Sequence, residues 1–204
     1  MKLFSIVAVI ATNAVIGVRY VWLIRKGRIH PALAMWVFFT IAVVGSLLTY
    51  LAGGTYGLLD NILNTADIVL VASVALAIAL WGDRTTRFNR FDLGCLAAVV
   101  GILVAWAFTR AHASAHAAIQ AILVIAYFPV VKRLWQSDRN TESFTMWIGL
   151  LIAPIFSLLS SQGTLATVYA VRAIVSTACL LALMVRAEVR VRRHGAGRSA
   201  PGSN

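Results

Sequence analysis

The sequence predicts an all-α integral membrane protein: seven transmembrane helices, arranged as two parallel three-helix repeats joined by a linker helix. Three observations predict it. The 204-residue chain is 60% hydrophobic and 12% charged, whereas soluble domains carry about a quarter charged residues. Its apolar residues fall in runs of roughly 20, the length at which a helix crosses the hydrocarbon core. The polar breaks between those runs alternate in charge.

The runs cover 3–24, 30–51, 60–81, 91–109, 113–134, 142–160 and 164–187. In lipid every backbone N–H and C=O must be bonded within the segment, so helices are expected throughout. The first run carries Asn13, ends in Arg19, Tyr20 and Trp22, and is followed by no small-residue cleavage pattern. It is expected to be a retained span, not a signal peptide. Arg19 lies close enough to the end of that run to snorkel to the head groups. The second run opens with Pro31, where a helix tolerates proline. The third holds Asn61, Asn64 and Asp67. Gly94 and Gly101 of the fourth run, and Ala113, Ala115, Ala117, Ala118 and Ala121 of the fifth, read as close helix-packing surfaces.

The fifth run also carries Gln120 and Pro129, the sixth Pro154 and the seventh Arg172. Beyond 187 the Arg-rich, Gly/Ser/Pro-ended tail is expected to be unstructured and held near lipid head groups. The domain organisation that follows is 1–81, a first three-helix repeat; 82–112, the linker helix region; 113–187, a second three-helix repeat; and 188–204, the tail.

A net charge of +11 raises the possibility of nucleic acid, but the bases occupy the breaks and not one amphipathic face, so no nucleic-acid partner is expected. Arg25, Lys26 and Arg28 fill the first break, Arg84, Arg87 and Arg90 the third, Lys132, Arg133 and Arg139 the fifth, and Arg186 and the tail bases follow the seventh run. The second, fourth and sixth breaks contain only Arg110. Positive charge marks the cytoplasmic face, which places the amino terminus outside and the carboxyl terminus in the cytoplasm of a bacterial-type plasma membrane. Trp22, Trp36, Trp81, Trp135 and Trp147 fall near the inner helix ends, where an aromatic belt is expected. Cys95 and Cys179 lack metal or redox spacing and read as small apolar residues. His112 and His116 are four apart, but with no third ligand nearby a solvated interface is the favoured reading over a metal site. No metal or cofactor is expected.

Offset by 111 residues, the chain overlies itself at Leu23/Leu134, Arg28/Arg139, Met35/Met146, Trp36/Trp147, Ala42/Ala153 and the triplet Ser46-Leu47-Leu48 on Ser157-Leu158-Leu159. Four helices separate the paired segments, so helices 1–3 and 5–7 run in the same direction. Parallel repeats of this kind are a transporter design, with the substrate between the halves.

The stretch Tyr127-Phe128-Pro129-Val130, then Lys132-Arg133, then Thr141-Glu142-Ser143 resembles the loop that gives the PQ-loop superfamily its name. The 3+1+3 order with an outside amino terminus is similar to the SWEET sugar transporters within it. Val130 stands where the glutamine of that motif is found, and Val18-Arg19, the matching place in helix 1, has neither proline nor glutamine. The resemblance implies a substrate site among polar residues of helices 3 and 7.

The residues themselves point to the same region. A charge within a span faces a partner or a cavity, and Asp67 and Arg172 lie at similar depth in equivalent helices, so they are expected to approach each other. Asn64 lies one turn before Asp67. With Asn61, Gln120 and Asn13 these residues form the candidate substrate site, Arg172 holding an anionic group and Asp67 exchanging a proton. A packing ion pair with bonded amides is the alternative. Pro129 and Pro154 are candidate hinges or static kinks.

The function expected is transport of a small polar solute by alternating access, with the bilayer, the solute and protons as partners and homo-oligomers allowed. A seven-helix receptor or ligand-binding protein, or a structural or assembly protein, is the alternative. The only lysines are Lys2, Lys26 and Lys132, which removes a retinal Schiff base in helix 7. No HExxH, GxSxG or second deep carboxylate supports an enzyme.

Overall fold

The computed structural model describes residues 1–29, 31, 33–54, 56–82, 90–136 and 143–196. Arg84, Arg87, Arg139 and Thr141-Glu142, used above for charge and motif, lie outside the described residues. Among those described there is no strand. The helices are α1 (Lys2–Arg25), α2 (Leu33–Ala52), α3 (Ile62–Trp81), α4 (Arg90–Thr109), α5 (His112–Ile125), α6 (Phe128–Gln136), α7 (Phe144–Ser157) and α8 (Gly163–Ala196), with a 3₁₀ turn at Leu58–Asn61 before α3.

Among the described residues, six segments are long and apolar enough to cross a membrane, α5 and α6 counting as one, and α7 is a shorter apolar helix. At 1.5 Å per residue, the 14 residues of α7 rise about 21 Å. Pro154 sits inside it, three residues before its end. Having no N–H, proline weakens the last turn, and the chain leaves the helix at Leu158.

Three boundaries depart from the sequence reading. The fifth run is not one helix: α5 stops at Ile125 and α6 starts at Phe128. Pro129 therefore lies in the first turn of α6, where proline is tolerated. The physical cause is still proline, which cannot donate to the carbonyl four residues back and crowds it, so the break falls upstream, at Ala126 and Tyr127. The sixth segment ends at Ser157 instead of 160. The seventh continues through Glu188 and Arg190 to Ala196, into the stretch assigned to the tail, because Ala, Glu, Val and Arg there are residues a helix readily accommodates.

The end of α1 illustrates how local sequence sets a terminus. Gly27 is left-handed (φ 61°), Arg28 N donates to Leu23 O at 3.0 Å, and Gly27 N donates to Ile24 O at 2.9 Å. This is the paired bonding of a Schellman turn, which glycine enters without steric cost.

In the packing, α3 lies between α1 and α2, while α8 contacts α7 on one side and α5 and α6 on the other. Across the middle α1 packs on α7, α2 packs on α5, and α3 touches α7 and α8; α4 covers α2 and α5 from outside. The α1–α7 approach depends on Gly149, because a Cβ there would overlap the Ile16 side chain. The main core cluster runs through Val9, Ile16, Val74, Ile119, Ala153 and Tyr169. Gly94 and Gly101 meet nothing within 4 Å on the side a Cβ would occupy, and of the five alanines of α5 only Ala115 is buried. Ala115 apart, these small residues thus do not form close packing surfaces within the chain. Leu3, Val15, Val18, Val69, Leu76 and Phe108 are exposed, an apolar exterior beyond what single surface residues need explain.

Candidate functional site

Asp67 sits in the second turn of α3. Asn13, midway along α1, donates through Nδ2 to Asp67 Oδ1 at 3.0 Å. Tyr169 of α8 donates its hydroxyl to Asp67 Oδ2 at 2.8 Å. One carboxylate thus joins α1, α3 and α8 at the centre of the bundle.

Arg172, one turn after Tyr169, donates from Nε to Gln120 Oε1 at 2.8 Å, and its guanidinium carbon lies 4.9 Å from the Tyr169 ring centroid. The expected approach of Asp67 and Arg172 takes an indirect form. Tyr169 stands between them, its hydroxyl on the carboxylate and its π face against the cation, and no direct ion pair joins the two. Both charges line one small cavity of about 40 Å³, together with Leu63, Tyr127, Pro154 and Thr177. That volume has room for roughly two waters.

A second network adjoins the first. Gln120 Nε2 donates to Ser46 Oγ at 2.8 Å and lies 3.3 Å from His116 Nε2, while His116 Nδ1 is 3.1 Å from Ser46 O. The bonds agree only if Nδ1 carries the proton and Nε2 accepts; this tautomer is assigned from the network. Asn64 is satisfied when its amide donates to Val43 O at 3.0 Å and accepts from Leu47 N at 3.1 Å and Ser46 Oγ at 3.0 Å. A continuous chain then runs from Arg172 through Gln120 and Ser46 to Asn64. Asn61 caps α3, its Oδ1 facing Asn64 N at 3.4 Å. Among the described residues, Asn13 Oδ1 and Asn61 Nδ2 are buried without a hydrogen-bond partner.

The cavity is closed toward both ends of the bundle. Toward the basic end, Tyr127 packs on Phe39 and Trp147 with centroids 5.7 and 5.8 Å away, and Trp36 packs on Tyr20 at 5.4 Å. At the other end Lys2 Nζ meets Asp60 Oδ1 at 2.7 Å, Ser5 Oγ meets Ser160 Oγ at 2.7 Å, and Tyr50 donates to Gln162 O at 2.9 Å.

Compared with protein-family models, with curated proteins and with solved structures, the chain matches none of them.

The six residues singled out by sequence therefore fall into two adjoining polar networks, with Asn13 and Asp67 in one and Gln120, Asn64, Arg172 and Asn61 in or beside the other. His116 corrects the sequence reading: it is fully buried, not at a solvated interface, because α5 turns that face onto Ser46 and Thr49 of α2. Trp36 and Trp147 are likewise buried and form the aromatic closure, whereas Trp22, Trp81 and Trp135 are about half exposed, as belt residues would be. Tyr169, Tyr127, Ser46 and Thr177 were not anticipated. Tyr169 carried a signal, since it lies one helical turn from Arg172 and so on the same face. Among the described residues no three His, Cys, Asp or Glu side chains cluster as metal ligands.

Proposed function

We propose that this chain is an integral membrane transporter that moves a small polar solute by alternating access between its two three-helix bundles, with Asp67 as a proton site. The observation that carries the reading is two opposite charges, not ion-paired with each other, that line one small cavity. Arg172 donates Nε to Gln120 and also bonds the Tyr127 hydroxyl, and its remaining N–H groups can meet an anionic group. Each Asp67 oxygen accepts one bond and can accept another. Opposed charges of this kind suit a solute with a negative and a positive end.

The packing supports two related halves. The third helix lies between the first and second in one half, and α8 takes the same position between α5/α6 and α7 in the other. Exchanging the halves turns the α1–α7 contact into the α5–α2 contact, and both are extensive. The charge pattern supports an outside amino terminus, and the degenerate PQ-like stretch supports the same architecture. The break between α5 and α6, beside Tyr127, supports motion there, and Pro154 borders the same cavity from α7.

Uptake into proteoliposomes tests this. Labelled amino acids, sugars and nucleosides are offered to the wild type and to Asp67→Asn, with folding checked in parallel. Accumulation of one class, lost in a folded Asp67→Asn variant, is expected. A solute that raises the melting temperature but never accumulates would make the protein a receptor. Full uptake by a well-folded Asp67→Asn would remove Asp67 from the mechanism.

A further inference from the structure

We propose that the groove between α1 and α3 binds one anionic phospholipid, its phosphate held by Arg25 and Arg28 and one acyl chain lying along the groove toward Asn13. The inference rests on the helices lying in a bilayer and is independent of transport.

The groove encloses about 740 Å³ and is lined by Ala14, Gly17 and Val21 of α1 and by Ala66, Val69 and Ser73 of α3, among others, with Trp22 and Arg25 at its basic end. Its size follows from small residues where the helices face each other. At Gly17 a Cβ would come within 3.0 Å of Leu70 Cδ1, so α1 and α3 approach closely and leave a furrow outside that contact. From Asn13 to Arg25 the helix rises about 18 Å, close to the ~15 Å depth of one leaflet's hydrocarbon. No acidic residue lines it.

The mouth has the chemistry of a phosphate site. Arg25 lies 4.9 Å from the Trp81 ring centroid and Arg28 lies 5.0 Å from that of Trp22. Both arginines are exposed, and neither forms an ion pair with a carboxylate of the described residues. A guanidinium laid on an indole keeps its N–H edge free for phosphate oxygens. Arg25 lines the groove, and the left-handed Gly27 turns the chain back after α1, with Arg28 laid over Trp22, itself a lining residue. Trp22 and Trp81 supply the amphipathic rings expected at head-group depth.

Charge decides the occupant. A second copy of this chain packed in the same direction would bring its own Arg25, Lys26 and Arg28 to the same basic end and be repelled. An anionic head group is attracted there, by about 1 kcal/mol per base.

The test is native mass spectrometry of the full chain released from nanodiscs containing equal phosphatidylglycerol and phosphatidylcholine. One retained phosphatidylglycerol is expected, preferred over phosphatidylcholine by at least about 30-fold. Arg25→Gln with Arg28→Gln should lower that preference by roughly 30-fold, the equivalent of two bases at about 1 kcal/mol each. Arg19→Gln, an exposed base outside the groove, should leave it unchanged. Ala14→Phe, which fills the exposed side of the groove without touching the core, should abolish retention of either lipid. Equal retention of the two lipids would overturn the proposal, as would an Arg19→Gln loss equal to that of the double variant. A dimer that Ala14→Phe dissolves would assign the groove to a second copy and overturn it as well. A chain recovered from cells without detergent would instead overturn the bilayer premise.

Discussion

The Tyr169–Asp67 bond can be measured by replacing each partner and then both. Tyr169→Phe removes a donor 2.8 Å from a half-buried carboxylate oxygen and leaves the ring, with its contact to Arg172, in place. Bonds to charged groups contribute about 1.5–3 kcal/mol in soluble proteins. Within bilayers measured couplings average about 0.6 and reach about 1.7 kcal/mol, because the unfolded chain finds other partners. An ionised acceptor places this bond near the upper end, so a coupling of about 1–1.7 kcal/mol is expected. Asp67→Asn alone should change stability by no more than about 2 kcal/mol in either direction. The amide can accept from only one of Asn13 and Tyr169 through its single oxygen, and that loss is offset by relief of a buried charge. The assay is reversible unfolding in mixed micelles for the wild type, the two single variants and the double variant. Additivity within about 0.3 kcal/mol would refute the bond as an energetic link between α3 and α8.

Gly149→Ala puts a methyl against Cγ2 of the Ile16 side chain, and overpacking of this kind costs about 1–3 kcal/mol; thermal unfolding in detergent should show the loss. His116→Leu keeps the volume but takes from Gln120 Nε2 one of its two acceptors, a cost of about 1–3 kcal/mol, read by the same unfolding assay. Gly27→Ala strains a left-handed turn and should destabilise by about 1 kcal/mol, with the earliest amide exchange at the end of α1.

What was legible in the sequence was what chemistry alone determines. Runs of about 20 apolar residues favour helices, so the approximate helix positions follow, and Asp67 and Arg172 announce themselves because a charge in such a run needs a reason. What was not legible depends on which face of a helix meets which neighbour. His116 has the same spacing to His112 whether it faces water or Ser46, and only the packing of α5 on α2 decides. Trp36 and Trp147 stand at helix ends, as belt residues do, yet point inward because Tyr20, Phe39 and Tyr127 are there to receive them. The break in the fifth run was hidden for a different reason. A proline disturbs the carbonyl four residues before it, so the visible residue is Pro129 but the break lies at Ala126.

The central claim is that one cavity opens in turn to both sides of a membrane, and cysteine accessibility tests it most directly. In a Cys95→Ala, Cys179→Ala background, Thr177→Cys places a thiol on the cavity wall, at a position 1% exposed in this closed state. In sealed, oriented vesicles a membrane-impermeant maleimide should label that thiol from either side, and a transported solute should slow labelling from both. Labelling from neither side, or from one side only, would contradict alternating access and leave the Asp67–Arg172 cavity a sealed element of the fold.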